Sequence, residues 1–152
     1  MQDGTRNAGT VRTIRAVIEG REPVTASPSM IVSDAARQMK RSQVGAILVV
    51  EGGRLVGIFT ERDALFRVVA EGRDPTRTTL DEAMTRKPIT IHPDKPFSDA
   101  LAMMHVGKFR RVPVVEGDKP IGMVSAQDVM GPELEQFMFG LIVDEQTRDV
   151  LA

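Results

Sequence analysis

Gly57-Ile58-Phe59-Thr60-Glu61-Arg62-Asp63 returns 65 residues later as Gly122-Met123-Val124-Ser125-Ala126-Gln127-Asp128, in the shared form Gly-apolar-x-Ser/Thr-x-x-Asp. Outward from this string the offset holds without a gap. Pro23-Val24-Thr25 falls on Pro88-Ile89-Thr90, Pro28 on Pro93, Ser33-Asp34-Ala35 on Ser98-Asp99-Ala100, and Met39 on Met104. Val49-Val50-Glu51-Gly52 falls on Val114-Val115-Glu116-Gly117. Only the leading segments, Ile14, Val17 and Ile18 against Leu80, Ala83 and Met84, need one extra residue of shift. A fixed internal period decides the architecture ahead of any local reading.

Each copy reads as a short strand near Thr25 or Thr90, a helix, two tightly joined strands and a second helix. The expected fold is therefore α/β (α+β), two pseudo-symmetric β-α-β-β-α repeats packed together through their sheets. Ser33 and Ser98 read as N-caps followed by an acid, with Ala35, Ala36, Met39 and Ala100, Leu101, Met104 as core faces. Ala46–Val50 and Leu55–Phe59 are apolar strands separated by Glu51-Gly52-Gly53-Arg54, and the second copy has Glu116-Gly117-Asp118-Lys119; Gly-Gly and Gly-Asp suit two-residue hairpin turns. Pro113 stands where the first copy has Leu48 and cannot donate to a ladder, so that strand or that position belongs at an edge. A helix from Glu61 to Glu71 is expected to stop at Gly72, with Ala64, Leu65, Val68 and Val69 inward. Gly131-Pro132 interrupts the second copy, and a new helix carries the stripe Leu134, Phe137, Met138, Leu141 and Ile142. The boundaries are 1–10 for a disordered tail, 11–74 and 75–131 for the repeats, and 132–152 for a C-terminal helix and tail. One unit of about 60 residues buries a marginal core, so pairing of the copies is expected.

With 27% charged residues, 41% apolar residues and a net charge of −1, the 152-residue chain has an ordinary globular composition. That charge argues against a general polyanion binder, and nucleic acid is not an expected partner. The absence of cysteine removes disulfides, thiolate metal sites and a cysteine nucleophile. No apolar run approaches the roughly 18 residues of a membrane span and the polar start lacks a leader-like core, so a cytoplasmic location is expected.

The repeated string has two physical readings. A Ser/Thr ending a strand with a carboxylate three residues on is a capping box, satisfying orphan N–H groups of the next turn. The same geometry places an acceptor pair at a cleft mouth, suited to the vicinal hydroxyls of a ribose. In that reading the glycine leaves room for a ligand, and Thr60 or Ser125 contacts sugar or phosphate at a helix start.

With these two strings, the Arg111-Val112-Pro113-Val114-Val115 strand and this order of elements, the chain resembles a tandem pair of cystathionine β-synthase (CBS) domains, a Bateman module, over roughly residues 11–131. The resemblance implies adenosyl ligands (AMP, ADP, ATP, S-adenosylmethionine or NAD(H)) and a homodimer. Carried over by position, Asp63 and Asp128 hold ribose, Thr60 and Ser125 contact ribose or phosphate, and Thr25, Thr90, Ile58 and Met123 border the adenine. Arg110 and Arg111, with Lys108 nearby, lie near phosphates; the first copy has Gly45 and Ala46 at the positions of Arg110 and Arg111, so the two sites are not expected to behave alike. The Asp63 site is expected to take a phosphorylated nucleotide.

His92 and His105, the two histidines, occupy non-equivalent places and lack a third ligand at metal-like spacing. No phosphate-binding Gly-x-x-x-x-Gly-Lys-Ser/Thr loop or Gly-x-Ser-x-Gly elbow occurs, so neither an enzyme nor a catalytic cofactor is expected. The leading reading is a regulatory nucleotide sensor acting through a partner protein, with the Leu134–Ile142 stripe and the Val11–Ile18 helix as candidate contact surfaces. The alternatives are an interaction scaffold of the same fold without a ligand and, more remotely, nucleic-acid binding through Arg12, Arg15, Arg21, Arg110 and Arg111.

Overall fold

The computed structural model describes residues 12–130. The tail at 1–10, Val11, the Gly131-Pro132 interruption and the Leu134–Ile142 stripe lie outside the described residues. The chain runs through α1 (Ile14–Ile18), β1 (Thr25–Ala26), α2 (Val32–Ser42), β2 (Ala46–Glu51), β3 (Arg54–Thr60) and α3 (Glu61–Asp63), which continues as a π-helical segment, Ala64–Val69. It then forms α4 (Leu80–Ala83), β4 (Thr85–Arg86), α5 (Phe97–Gly107), β5 (Arg111–Glu116), β6 (Lys119–Ser125) and a 3₁₀ turn, Ala126–Asp128.

The period of 65 survives in detail. Both hairpins close on two residues, Glu51 opposite Arg54 and Glu116 opposite Lys119. Gly52 and Gly53 both take positive φ, +60° and +80°, as a type I′ turn requires. Each hairpin also slips register once at equivalent places, between Val49 and Val50 and between Val114 and Val115. α2 and α5 end on left-handed residues, Gln43 and Lys108, with Val44 N–H donating to the Met39 carbonyl and Phe109 N–H to that of Met104.

The first sheet has the order β1-β2-β3-β4, and β5-β6 form the second. They meet through Ala46, Leu48 and Ile58, against which Val50, Leu55 and Met123 pack. Leu55 N–H donates across the seam to the Asp118 carbonyl (3.3 Å).

Each half completes the other. The first core gathers Ile47, Val49, Phe59 and Val68 with Leu80, Ala83 and Met84 from the start of the second repeat. The second core gathers Phe97, Leu101, Val112, Val114 and Val124 with Ile14, Val17 and Ile18 from the start of the first. The backbone repeats this exchange: Ile31 bridges Thr79, and Thr13 bridges Pro96. Packing units therefore do not end where the sequence repeats end, at 74 and 75. The apolar face of α1 is buried in the second core and offers no contact surface to a partner.

Several local expectations are corrected. Ser33 and Ser98 lie inside their helices, whose caps are Ile31 and Pro96 with no side-chain cap bond. Backbone carbonyls do the capping instead: Val32 N–H donates to Thr78, Ser33 N–H to Pro75, and Phe97 N–H to Arg12. Ala36 is exposed while Leu101 at the equivalent place is buried, because a lone methyl at the margin of the face does not reach the core. Thr90 is not in a strand. Leu48 N–H donates to the Val24 carbonyl, a bond that Pro113 has no hydrogen to make, so the parallel pairing of the second repeat shrinks to one bridge, Ile91 to Val114. Gly72 ends its helix at φ +67°, but in the π-wound segment, whose hydrogen bonds run i→i+5, Val68 is buried while Leu65 (52% exposed) and Val69 (68% exposed) face outward.

Candidate functional site

The site begins at the end of β3. Thr60 is the N-cap of α3, and both halves of a capping box form: Thr60 Oγ1 accepts from Asp63 N–H (3.1 Å), and Asp63 Oδ2 accepts from Thr60 N–H (3.0 Å). The other carboxylate oxygen, Oδ1, accepts from the Thr85 hydroxyl (3.0 Å) and faces Arg67 Nε (3.4 Å). Asp63 is buried by this arrangement, and of about four acceptor positions on a carboxylate one remains for a further donor. Thr60 keeps its hydroxyl proton to donate.

Beside this pair opens a groove of about 1000 Å³. Its apolar wall includes Ile58, Leu65, Phe66, Ile89 and Pro113, and its cations are Arg62, Arg67, Lys87, Lys108, Arg110 and Arg111. The groove crosses from one repeat to the other, since Lys108 to Arg111 run from the left-handed C-cap of α5 into β5. Arg111 Nη2 contacts Glu61 Oε1 at 3.2 Å. It is able to do so because Gly45 has no side chain; a Cβ there would overlap the guanidinium.

The groove thus brings together Asp63, Thr60, Ile58, Lys108, Arg110 and Arg111, and it does not include Thr25, Thr90, Met123, Ser125 or Asp128. Thr25 pairs with Leu48 in the sheet, Thr90 is exposed in the connector, and Met123 packs in the seam. Ser125 and Asp128 repeat the capping box, with Asp128 Oδ2 accepting from Ser125 N–H (2.8 Å). There Oδ1 is held by Arg21 Nη1 (2.8 Å), whereas Asp63 Oδ1 takes the Thr85 hydroxyl and faces Arg67 Nε at 3.4 Å. The motif glycines are filled by protein rather than left for a ligand: a Cβ on Gly57 would meet Met84 Sδ at 2.5 Å, and one on Gly122 would meet Ile18 Cδ1 at 2.8 Å.

The sequence reading missed Arg67, Thr85, Lys87, Ile89 and Phe66 at the groove. The i, i+4 spacing of Asp63 and Arg67 was a visible signal. Thr85 and Lys87 had none, because only the docking of β4 against β3, Ile58 opposite Thr85, brings them in.

Other candidates fall into structural roles. Arg15 is paired with Asp94 and Glu116, and those hydrogen bonds, Glu116 first, raise its pKa. Arg12 Nη2 donates to the Asp128 carbonyl (2.7 Å). His92 Nδ1 accepts from Asp94 N–H in an exposed turn, and His105 is half-buried in α5. Among the described residues no cluster of metal-ligating side chains occurs, and no helix is long and apolar enough to cross a membrane.

Residues 14–70 and 80–132 each match the CBS domain family. The chain is 37% identical over 105 residues to the CBS domain-containing protein YhcV of Bacillus subtilis, covering 69% of this chain and 74% of that one. It spans 65%, 22% and 17% of the next three curated relatives it matches. A CBS-domain containing protein from Agrobacterium tumefaciens superposes with a TM-score of 0.69 at 29% identity, over 76% of this chain and 94% of the other. A CBS domain protein from Pyrobaculum aerophilum, complexed with AMP, superposes with a TM-score of 0.74 at 22% identity, over 84% and 99%. Two matched repeats, two exchanged leading helices and two capped Ser/Thr-x-x-Asp strings thus have one source: the chain belongs to the CBS domain family, as a tandem pair.

Proposed function

We propose that the chain is a regulatory module that binds a phosphorylated adenine nucleotide in the groove beside Asp63 and passes the result to a protein partner, acting by binding rather than catalysis. The observation that carries this reading is the convergence, in one groove, of a sugar-sized acceptor and donor pair (Asp63, Thr60), an apolar wall (Ile58, Ile89, Pro113) and a cationic end (Lys108, Arg110, Arg111). Ribose, adenine and phosphate call for those three surfaces respectively. The same-fold protein complexed with AMP makes AMP the natural first probe.

The pseudo-equivalent site at Asp128 is a weaker candidate. Its carboxylate is held by Arg21 at 2.8 Å, closer than Arg67 comes to Asp63 (3.4 Å), and the residues matching Lys108 to Arg111 are Gln43, Val44, Gly45 and Ala46, without a cation. The exposed Leu65, Phe66 and Val69 supply an apolar face through which a second copy or an effector would read the state of the groove.

Thermal denaturation with adenosine, AMP, ADP, ATP, S-adenosylmethionine and NAD(H) tests the reading. A ligand at 100 times its Kd adds about 2.7 kcal/mol, equivalent to about 5–10 °C in Tm at this size. A flat response across the panel favours the ligand-free scaffold, to which the completed capping box at each Asp would then belong.

A further inference from the structure

Among the described residues, Gln43, Lys87 and Lys108 take positive φ without being glycine. Gln43 and Lys108 are helix C-caps, where a left-handed turn satisfies carbonyls of the last helical turn. Lys87, at φ +48°, ends no helix; it follows β4 and precedes Pro88. A following proline confines a residue to extended backbone, so this conformation is disfavoured once by the Cβ of Lys87 and again by Pro88. The Lys87 N–H, 3.5 Å from the Val56 carbonyl, makes a long hydrogen bond that does little to hold it there. The first repeat turns the corresponding connector on a glycine, Gly20 at φ +77°, a residue that meets no such penalty.

The turn shapes the groove. Side chains of an extended strand alternate between two faces, whereas Lys87, Pro88 and Ile89, three residues in succession, all line the groove. A glycine at 87 would give that backbone path at least as well, so the path does not account for the lysine. The side chain does. In the first repeat the connector cation, Arg21, follows Gly20 directly and is bound within the protein to Asp128 Oδ1 at 2.8 Å. In the second, Asp63 Oδ1 takes the Thr85 hydroxyl and faces Arg67, and Lys87 has no carboxylate partner among the described residues. An exposed ammonium on the groove wall, carried on an unfavourable backbone and without an internal anion, is suited to an anion from outside.

We propose that Lys87 is a specificity-determining residue whose ammonium takes a phosphate of the bound nucleotide, and that the protein gives up stability at this position to present it. This rests on the adenine-nucleotide reading above, and it adds to that site a phosphate contact from the connector of the second repeat, separate from the Lys108–Arg111 run. Lys87 therefore favours phosphorylated ligands over adenosine. One substitution, Lys87→Gly, relieves the backbone and removes the charge, so it moves stability and phosphate recognition in opposite directions.

The experiment combines ligand-free thermal denaturation with calorimetric titration of adenosine, AMP and ATP into the full chain, for the wild type, Lys87→Gly, Lys87→Ala and Lys87→Arg. Lys87→Gly melts about 2–4 °C above Lys87→Ala, because both lack the long side chain and only alanine keeps a Cβ in the left-handed region. AMP and ATP weaken about three- to tenfold in both variants, the range for an exposed charge-assisted contact, while adenosine stays within about twofold of wild type. Lys87→Arg keeps the charge and with it most of the preference for AMP over adenosine. Equal melting of the glycine and alanine variants, a preference for AMP and ATP over adenosine that Lys87→Gly leaves unmoved, or one that Lys87→Arg loses as fully as Lys87→Gly, overturns the proposal while leaving the nucleotide reading intact. Absence of binding by all three ligands, in wild type and variants alike, overturns both.

Discussion

Ile18 lies against Gly122 so closely that a Cβ on the glycine would come within 2.8 Å of its Cδ1. The contact joins the first described helix, α1, to the last described strand, β6, and Met84 against Gly57 is its counterpart in the other half. At Gly57 the Thr85 carbonyl, at 2.9 Å from such a Cβ, is backbone and cannot swing aside. Gly57→Ala is expected to destabilise by about 1–3 kcal/mol, the range for overpacking, and Gly122→Ala by less, because the end of an isoleucine can rotate. Urea denaturation of the two variants orders them; equal stability of Gly57→Ala and wild type would contradict the packing described.

The π-wound segment after Asp63 predicts opposite results at adjacent valines. Val68 is 1% exposed and Val69 68% exposed. Val68→Ala should cost about 1–3 kcal/mol through lost burial and a cavity, whereas Val69→Ala should stay within about 0.5 kcal/mol.

The two motif aspartates should separate into different jobs. Asp63→Ala and Asp128→Ala each lose a capping box, at about 1 kcal/mol, and both should lower Tm in the absence of ligand. Only Asp63→Ala should also abolish the nucleotide-induced rise. Loss of that rise in both variants would mean that both repeats hold a nucleotide.

Part of the acid response should trace to Asp74 and to Glu82 of α4. Glu82 accepts from the Thr79 backbone N–H and hydroxyl, which with Arg73 lower its pKa below the usual 4.5. Asp74 is lowered from 3.8 by the Thr76 hydroxyl and N–H. A carboxylate depressed in the folded state contributes stability that is complete above its unfolded pKa and lost as pH falls through the folded one. Tm should therefore decline as pH drops below about 4.5, and Glu82→Gln should flatten that decline. The measurement is Tm against pH from 6 down to about 3; identical slopes for wild type and variant would rule out this origin.

Much of this fold was legible because duplication writes the hairpin rule twice, at Gly52 and Gly117, and because Gly72 at a helix end and Pro113 at a broken ladder mark where the copies differ. Sequence-local capping was misread at Ser33 and Ser98, since their helices take carbonyls from Pro75, Thr78 and Arg12, which no local pattern reveals. The glycines of the repeated string were legible as close approaches but not as to what approaches. Within the groove, Asp63, Thr60, Ile58 and the Lys108–Arg111 run could be named from position. Lys87, Ile89 and Thr85 depend on where β4 and the connector after it dock, and Phe66 on i→i+5 helical winding, neither of which composition or period encodes.

Because α1 fills the second core and α4 the first, the halves are interlocked, each hooked by the arm of the other. Unfolding either one strips an apolar layer from its neighbour, so the pair should melt in a single calorimetric step rather than domain by domain. Cutting the chain near residue 74 should yield two fragments that fold only when mixed.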